Sequence, residues 1–210
     1  MSLRDRMFEL TEVEHVDEFL KQYPTGAFFK AGACHKTMQG FGVIEEALNK
    51  RDNLFLGFVR VIESRPVSNY IAQITDVVHQ SPQFILLVDG KVVFDVDNWD
   101  ITPDVVEDAL HQQFGPAQGE AGSVVEADVT LYLELLQRYL SDDLSENEFE
   151  ESWLMAFQSD ATPRSTKQFT LLNSLYGDVD AAIAAGPFAA LGRESLRDRA
   201  EHLYKQLTAE

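Results

Sequence analysis

The chain has 210 residues, of which 45% are hydrophobic and 10% aromatic, a composition typical of globular proteins of one or two domains. No apolar run approaches the roughly 18 residues of a spanning helix, so no membrane association is expected. The net charge is −18, with −8 in residues 1–118 and −10 in residues 119–210. Such a charge repels phosphate backbones and disfavours direct nucleic-acid binding, whereas it serves solubility and permits a basic protein partner.

The chain contains one cysteine, Cys34, and therefore cannot form an internal disulfide bond. A lone cysteine fits a reducing compartment. The first six residues carry charges where a secretion signal needs an apolar stretch, so we expect a cytoplasmic protein.

Residues 1–115 predict a domain of alternating helices and strands. Thr11 and Glu14 form a predicted capping box ahead of the first helix, which starts near Val13. The next elements are a buried strand over 26–30, a helix over 34–48, a buried strand over 54–62 and a helix over 66–74. Strands over 84–88 and 92–96 flank a hairpin turn at Asp89–Gly90, and a last helix runs from Thr102 to about Phe114. Two strands joined by a crossover helix, then a hairpin and a covering helix, are the core order of the thioredoxin fold, an α/β architecture.

Residues 116–123 are small and rich in helix breakers, which predicts a linker, and residues 124–210 read as helical throughout. The predicted helices are an apolar-faced segment from Val125 to Leu140, a second one behind a capping box of Ser145 and Glu148, a third opened by Thr162–Pro163, and a fourth from about Leu196. Gly186–Pro187 and Gly192 bracket a predicted loop. Four helices with short connections predict an all-α four-helix bundle, with Phe149, Trp153 and Phe157 most simply in its core.

Cys34 falls where the first predicted strand ends and a helix begins. The unpaired amide groups and the dipole of a helix N-terminus stabilise a thiolate, and a protonated His35 would favour it further. Thr37 stands three residues on, where dithiol enzymes keep their second cysteine, so any redox cycle needs an external thiol. A lone cysteine is also commonly a small buried hydrophobe.

Ser81–Pro82 precedes the first hairpin strand, where thioredoxin folds place a cis-proline facing the reactive cysteine. The order and spacing of 61–69, 79–83, 89–93 and 99–102 resemble the monothiol bacilliredoxin family, the YtxJ-like thioredoxin-fold proteins, over about residues 10–113. The resemblance implies removal of bacillithiol from protein mixed disulfides. It implies Cys34 as nucleophile and Pro82 as a wall on the substrate side, with no bound cofactor and a bacillithiol-like thiol as co-substrate.

The active-site stretch departs from that family. Its members read Thr-Cys-Pro-Ile-Ser, whereas this chain has Ala33-Cys34-His35-Lys36-Thr37. The threonine is a conservative change from serine, the two basic residues help hold a thiolate, and the lost proline loosens the helix start. Arg65 and Ser81 are candidates for binding the small thiol, although Arg65 also fits a role in capping and packing its own helix.

Acidic residues cluster around the start of the second helix of the bundle. Asp142, Asp143, Glu146 and Glu150 fit a solvated helix N-terminus, and they also fit a docking surface for a basic protein. The stretches 144–150, 157–160 and 172–180 resemble the colicin D immunity-like family over about residues 125–207. That family is a helical bundle whose acidic face covers the basic site of a tRNA-cutting toxin.

Two functional hypotheses follow, one for each half of the chain. The first is a monothiol thiol-disulfide oxidoreductase whose partners are proteins carrying mixed disulfides. The alternative is an interaction protein in which a non-catalytic thioredoxin fold carries a bundle that neutralises a basic nuclease toxin. No metal site is predicted, because the histidines are scattered without ligand spacing.

Overall fold

The computed structural model describes residues 1–117, 126–185 and 195–209, with side chains omitted over 177–185. These residues divide into two units. The first comprises Met1–Glu126 together with Ala161–Thr166, and the second comprises Ala127–Asp160 together with Lys167–Glu210.

The first unit is built on one five-stranded sheet with strand order β1-β3-β2-β4-β5. Strands β1, β2 and β3 are parallel, and β4 runs antiparallel to both β2 and β5. This is the thioredoxin fold predicted from the sequence. Its elements are β1 (Met7–Glu9), α1 (Val13–Gln22), β2 (Gly26–Ala31), α2 (His35–Asn49), β3 (Leu56–Arg60), α3 (Arg65–Thr75), β4 (Gln83–Val88), β5 (Lys91–Asp97) and α4 (Pro103–Phe114).

The central strand β2 is buried along its whole length because helices cover both faces of the sheet. Ala27 and Phe29 pack with Phe41 of α2 on one face. Phe28 points to the opposite face and packs with Phe19 of α1 and with α3. Successive side chains of β2 therefore enter two different hydrophobic cores, which explains why the sequence of this strand is apolar at nearly every position.

Two elements of this unit differ from what the sequence predicted. The predicted capping box of Thr11 and Glu14 is wrong: α1 takes Glu12 as its N-cap, and Thr11 Oγ1 lies 3.3 Å from His15 Nδ1 instead. Strand β1 was not predicted, since three residues are too short to show a period. At the hairpin, Asp89 and Gly90 have φ values of 50° and 74°, as a tight turn between strands requires.

The second unit contains α5 (Thr130–Leu140), α6 (Glu146–Ser159), most of α7 (Thr166–Ala185), and α8 (Leu196–Thr208). Helix α5 packs against both α6 and α8. The capping box predicted for α6 is confirmed, because Ser145 N donates to Glu148 Oε2 at 2.9 Å and Glu148 N donates to Ser145 Oγ at 3.4 Å. Its aromatic residues Phe149, Trp153 and Phe157 are fully buried, and the prediction of an all-α bundle is confirmed.

The third helix of the bundle starts later than predicted. Thr162–Pro163 lies in a non-helical stretch, and α7 begins at Thr166. The physical reason is that residues 161–166 belong to the first unit, where the Pro163 carbonyl accepts a hydrogen bond from Arg4 at 3.2 Å. Residues 118–123 of the predicted linker and the loop predicted at 186–192 lie outside the described residues. In the stretches that are described, no helix combines the length and apolar content needed to cross a membrane.

Candidate functional site

Cys34 is the N-cap residue of α2, at the point where the chain leaves β2 and turns into the helix. Its backbone is extended, with φ −149° and ψ 169°, and its carbonyl accepts a hydrogen bond from Thr37 N at 2.8 Å. The side chain is a free, half-buried thiol. Because Cys34 is the N-cap residue, its thiol lies at the N-terminal end of α2, where the helix dipole is positive.

Pro82 lies beside the segment that leads into Cys34. The Ser81–Pro82 peptide bond is cis, the geometry predicted from the sequence. A methyl group built on Gly32 would lie 3.3 Å from Ser81 Oγ and 3.4 Å from the Pro82 nitrogen. The two loops therefore approach each other closely at Gly32, two residues before the cysteine, and a side chain there would require its neighbours to shift slightly.

A third segment, residues 98–99 after β5, contacts Pro82 and the first residues of α2. Asn98 N donates to the Pro82 carbonyl at 2.9 Å, and Lys36 Nζ donates to Asn98 Oδ1 at 3.3 Å. Trp99 is 48% exposed, and its ring centroid lies 5.5 Å from that of His35 and 5.6 Å from Lys36 Nζ. Trp99 entered the sequence prediction only through the resemblance, and an exposed tryptophan against His35, the residue after the thiol, is a candidate substrate contact.

Thr37 occupies the place of a second cysteine, in the first turn of α2. Its side chain is fully buried, and its hydroxyl has no hydrogen-bond partner among the described residues. Thr37 Oγ1 would lie 3.3 Å from a methyl group on Gly32, so it borders the same close approach of Gly32 to Ser81 and Pro82. An unpaired buried hydroxyl lowers stability by about 1–3 kcal/mol, which makes this position unusual for a purely structural threonine.

A buried polar pair, Lys30 and Gln83, adjoins Pro82 and was not predicted from the sequence. Lys30 of β2 is fully buried, and its Nζ donates to Gln83 Oε1 at 2.9 Å. Burial and, secondarily, the Arg65 charge lower the pKa of Lys30 to about 8. The only signal in the sequence was a lysine inside the otherwise apolar run 26–31.

The candidate thiol-binding residues Arg65 and Ser81 are placed differently. Arg65 is exposed at the first position of α3, and Ser81 is half-buried next to Pro82. Ser68 Oγ lies 3.2 Å from His79 Nδ1. Burial, followed by the charges of Lys30 and Arg65, lowers the pKa of His79. Arg65 thus lies within electrostatic reach of Lys30 and His79, whereas Ser81 lies close to Gly32 in the segment that leads into Cys34.

The acidic residues singled out in the second unit lie at or near its surface. Asp142 pairs with Arg197 at 2.8 Å, and Asp143 Oδ2 accepts a hydrogen bond from Ser141 at 2.9 Å. Glu146 accepts a hydrogen bond from Tyr139 at 3.0 Å. Burial, and then the neighbouring charge of Glu146, raises the pKa of Glu150. The described residues contain no group of three or more His, Cys, Asp or Glu side chains placed to hold a metal ion.

Comparison with known families separates the same two parts of the chain. Residues 8–106 match the sequence model of the monothiol bacilliredoxin BrxC family. Residues 128–207 match the model of bacterial self-protective colicin-like immunity proteins. Both resemblances drawn from the sequence are confirmed by these matches. The first match, together with Cys34 at the start of α2, supports a role of the thiol-oxidoreductase type for the first unit.

Solved structures similar to this chain cover about half of it. A putative oxidoreductase with a thioredoxin fold is 23% identical, with a TM-score of 0.47, over 51% of this chain and 96% of its own. Thioredoxin from Nicotiana alata is 19% identical, with a TM-score of 0.39, over 51% and 91%. Thioredoxin from Schistosoma mansoni is 18% identical, with a TM-score of 0.39, over 54% and 99%.

Proposed function

We propose that the protein is a monothiol thiol-disulfide oxidoreductase that removes a low-molecular-weight thiol, of the bacillithiol type, from mixed disulfides on other proteins. The observation that carries the proposal is the placement of the half-buried Cys34 thiol at the N-terminus of α2, beside the loop that holds cis-Pro82. The match to the bacilliredoxin family supports it.

The chemistry requires two exchanges, each balanced in sulfur and electrons. The Cys34 thiolate attacks the small-thiol sulfur of the mixed disulfide, forms a new S–S bond with it, and releases the client thiolate, which takes a proton from solvent. A second molecule of the free small thiol then attacks that sulfur of the Cys34 disulfide. This step releases Cys34 as thiolate and yields the symmetrical disulfide of the small thiol, so the client is reduced and the small thiol is oxidised.

The residues around Cys34 have separate proposed roles in binding the substrate and stabilising the thiolate. His35 adds positive charge beside the attacking sulfur when it is protonated, and the unpartnered hydroxyl of Thr37 is available to donate to a sulfur anion. Pro82 forms the wall against which the substrate lies. Arg65 and Ser81 are the proposed contacts to the non-sulfur part of the small thiol. A cytoplasmic location fits this scheme, because a lone cysteine stays reduced there.

The test uses the full chain, a protein carrying a bacillithiol mixed disulfide, and free bacillithiol. We expect the client thiol to be released catalytically and the symmetrical bacillithiol disulfide to appear in equal amount. The Cys34→Ser variant should lose at least about a thousandfold in rate, since serine has no thiolate chemistry near neutral pH. A wild-type rate no higher than that of Cys34→Ser would refute the proposed function.

A second function is proposed for the helical unit, namely binding of a basic nuclease toxin. The observation that favours it is the match of residues 128–207 to colicin-like immunity proteins, together with exposed carboxylates at Asp142, Asp143 and Glu146. Charge complementarity of this kind speeds association and makes it sensitive to salt.

The test measures binding of the full chain to a basic tRNA-cleaving nuclease domain and the resulting loss of tRNA cleavage. A variant with Asp142→Asn, Asp143→Asn and Glu146→Gln should weaken binding at least about tenfold at low salt, by loss of charge attraction. Cys34→Ser is the matched control and should bind as wild type does. Full cleavage at saturating protein would dismiss the immunity function while leaving the redox proposal intact.

A further inference from the structure

The loop that carries Pro82 is held from inside the domain by one side chain. Residues 76–82 join α3 to β4, and their last part, 78–82, contains no regular secondary structure. Gln83, the first residue of β4, reaches back into this loop with both ends of its amide. Its Nε2 donates to the Val78 carbonyl at 3.0 Å, and its Oε1 accepts from Gln80 N at 3.3 Å. The Gln83 side chain thus links the backbone of Val78 to that of Gln80 from inside the domain.

Lys30 holds Gln83 in turn. The two residues face each other in the antiparallel register of β2 and β4, and neither side chain is more than 1% exposed. The ammonium donates to Gln83 Oε1 at 2.9 Å, the same oxygen that accepts from the Gln80 amide. A hydrogen bond from a charged donor is roughly twice as strong as a neutral one, so Gln83 is fixed in one orientation. A chain of contacts therefore runs from Lys30 through Gln83 to the loop of Pro82.

A lysine is a costly residue at this position. Within the described residues it forms no ion pair, and Gln83 is its hydrogen-bond partner, so two of its three donors are unused. Its neighbours on the same sheet face, Phe28 and Ile85, are fully buried hydrophobics. An apolar residue of similar length would fill this space without the penalty of burying a charge. The penalty makes sense if the hydrogen bond itself is needed.

The geometry points to Lys30 as a positioning residue for exchange at Cys34, acting through Gln83 to hold the 78–82 loop and thus Pro82 against the segment that leads into the cysteine. This inference rests on the proposed function. Lys30 does not touch the reacting sulfur. Its substitution should therefore spare reactions that need only the thiolate, and it should slow those in which a substrate must lie along Pro82.

The experiment compares two reactions of the full chain in wild type and in Lys30→Met. Alkylation by iodoacetamide needs only the Cys34 thiolate, whereas exchange with a protein mixed disulfide also needs the Pro82 wall. We expect alkylation to stay within about twofold and exchange to fall about tenfold, since small misplacements of a substrate wall cost that much or more. Lys30→Arg keeps a charged donor and should recover part of the exchange rate.

Two controls separate positioning from general loss of stability. Asn49→Leu removes another buried polar side chain, whose Oδ1 accepts from Leu3 N at 2.6 Å at the opposite end of α2. It should lower stability without changing exchange. Amide hydrogen exchange over 78–82 should speed up in Lys30→Met and stay unchanged in Asn49→Leu.

The double variant Lys30→Met with Gln83→Met tests the route of the effect. If Lys30 acts through Gln83, the double variant should exchange no more slowly than the slower single variant, because both changes break one contact chain. Equal losses in alkylation and exchange, or additive losses in the double variant, would overturn the inference while leaving the proposed function standing. No exchange in wild type would instead refute the proposed function, and unchanged amide exchange over 78–82 would overturn the positioning role by itself.

Discussion

The two units of this chain place their polar side chains in opposite ways. In the sheet unit, the side chains of Lys30, Thr37 and Gln83 are buried. Lys30 lies on the strand that leads to Cys34, Thr37 lies in the first turn of the helix after it, and Gln83 follows Pro82. In the helical unit, the buried face of α6 is aromatic, and the carboxylates singled out as a docking surface lie outside. The first arrangement suits chemistry that depends on exact placement, whereas the second suits a long-range electrostatic encounter.

This difference implies different responses to substitution. Buried polar groups act through position and low dielectric, so one change near Cys34 alters rate or pH dependence. Exposed carboxylates act through summed charge, so single changes there have small effects on folding and graded effects on binding. The following predictions test this contrast, from the largest expected effect to the smallest.

Trp153→Ala should lower the free energy of unfolding of the helical unit by about 3–5 kcal/mol, because it empties a fully buried site in the aromatic core. Chemical denaturation followed by circular dichroism measures the loss. Met155→Ala on the same helix is the matched control, since Met155 is 72% exposed and its removal should change stability by less than about 0.5 kcal/mol. Similar effects for both variants would contradict the assigned core.

Lys30 should make the stability of the sheet unit rise with pH. The pKa of Lys30 is about 8 in the folded protein against its ordinary value of 10.5, so between these two values the unfolded chain holds more protons. The free energy of unfolding then increases with pH, by up to about 3 kcal/mol over that window, and is flat below it. The measured quantity is the difference between wild type and Lys30→Met from pH 7 to 10.5, with Arg65 and His79 present in both. A difference independent of pH would show that the ammonium is not buried as described.

Thr37→Val should stabilise the sheet unit by about 1 kcal/mol and slow the exchange reaction. The buried hydroxyl of Thr37 has no partner in the described part of the chain, so replacing it with a methyl group removes a desolvation penalty. Thr75→Val is the control, because the Thr75 hydroxyl donates to the Ile71 carbonyl at 2.6 Å and its loss should destabilise. Stabilisation without any loss of exchange rate would remove Thr37 from the proposed mechanism.

Asp142→Asn should change the free energy of unfolding by less than about 0.5 kcal/mol. The Asp142–Arg197 ion pair is exposed, and such pairs contribute little in water. Asparagine also tolerates the left-handed backbone at this position, where φ is 63°. Thermal unfolding of the two proteins checks this. A loss above about 2 kcal/mol would mean that this carboxylate is structural, and the contrast between the two units would fail there.

Much of the fold could be predicted because strong local signals agreed with it. The apolar run of β2, the Asp89–Gly90 turn and the Ser145–Glu148 capping box each specify a local structure whatever their surroundings. The start of α7 could not be predicted. Thr162–Pro163 is a good helix opening, but residues 161–166 join the first unit, and that long-range contact overrides the local preference.

The candidate site was predicted only where its residues are close in sequence or match a family motif. Cys34 and Thr37 were found from the strand-to-helix transition, and Pro82 from its place before the hairpin. Lys30, Gln83 and Asn98 were missed as parts of the site, because each belongs to a different segment. Gln83 adjoins Pro82 in sequence, but only strand register pairs it with Lys30, and only loop contact brings Asn98 to the Pro82 carbonyl.

The sequence alone determined the two-part organisation, the order of the elements in each part apart from β1, and the single thiol at a helix start, since periodicity, turn residues and capping depend on neighbours along the chain. Tertiary structure decided which polar groups are buried, what supports the Pro82 loop and where residues 161–166 belong. Those features arise from contacts between residues far apart in sequence. The hydrogen-bond partner of Lys30, for example, is identified only by the pairing of β2 with β4.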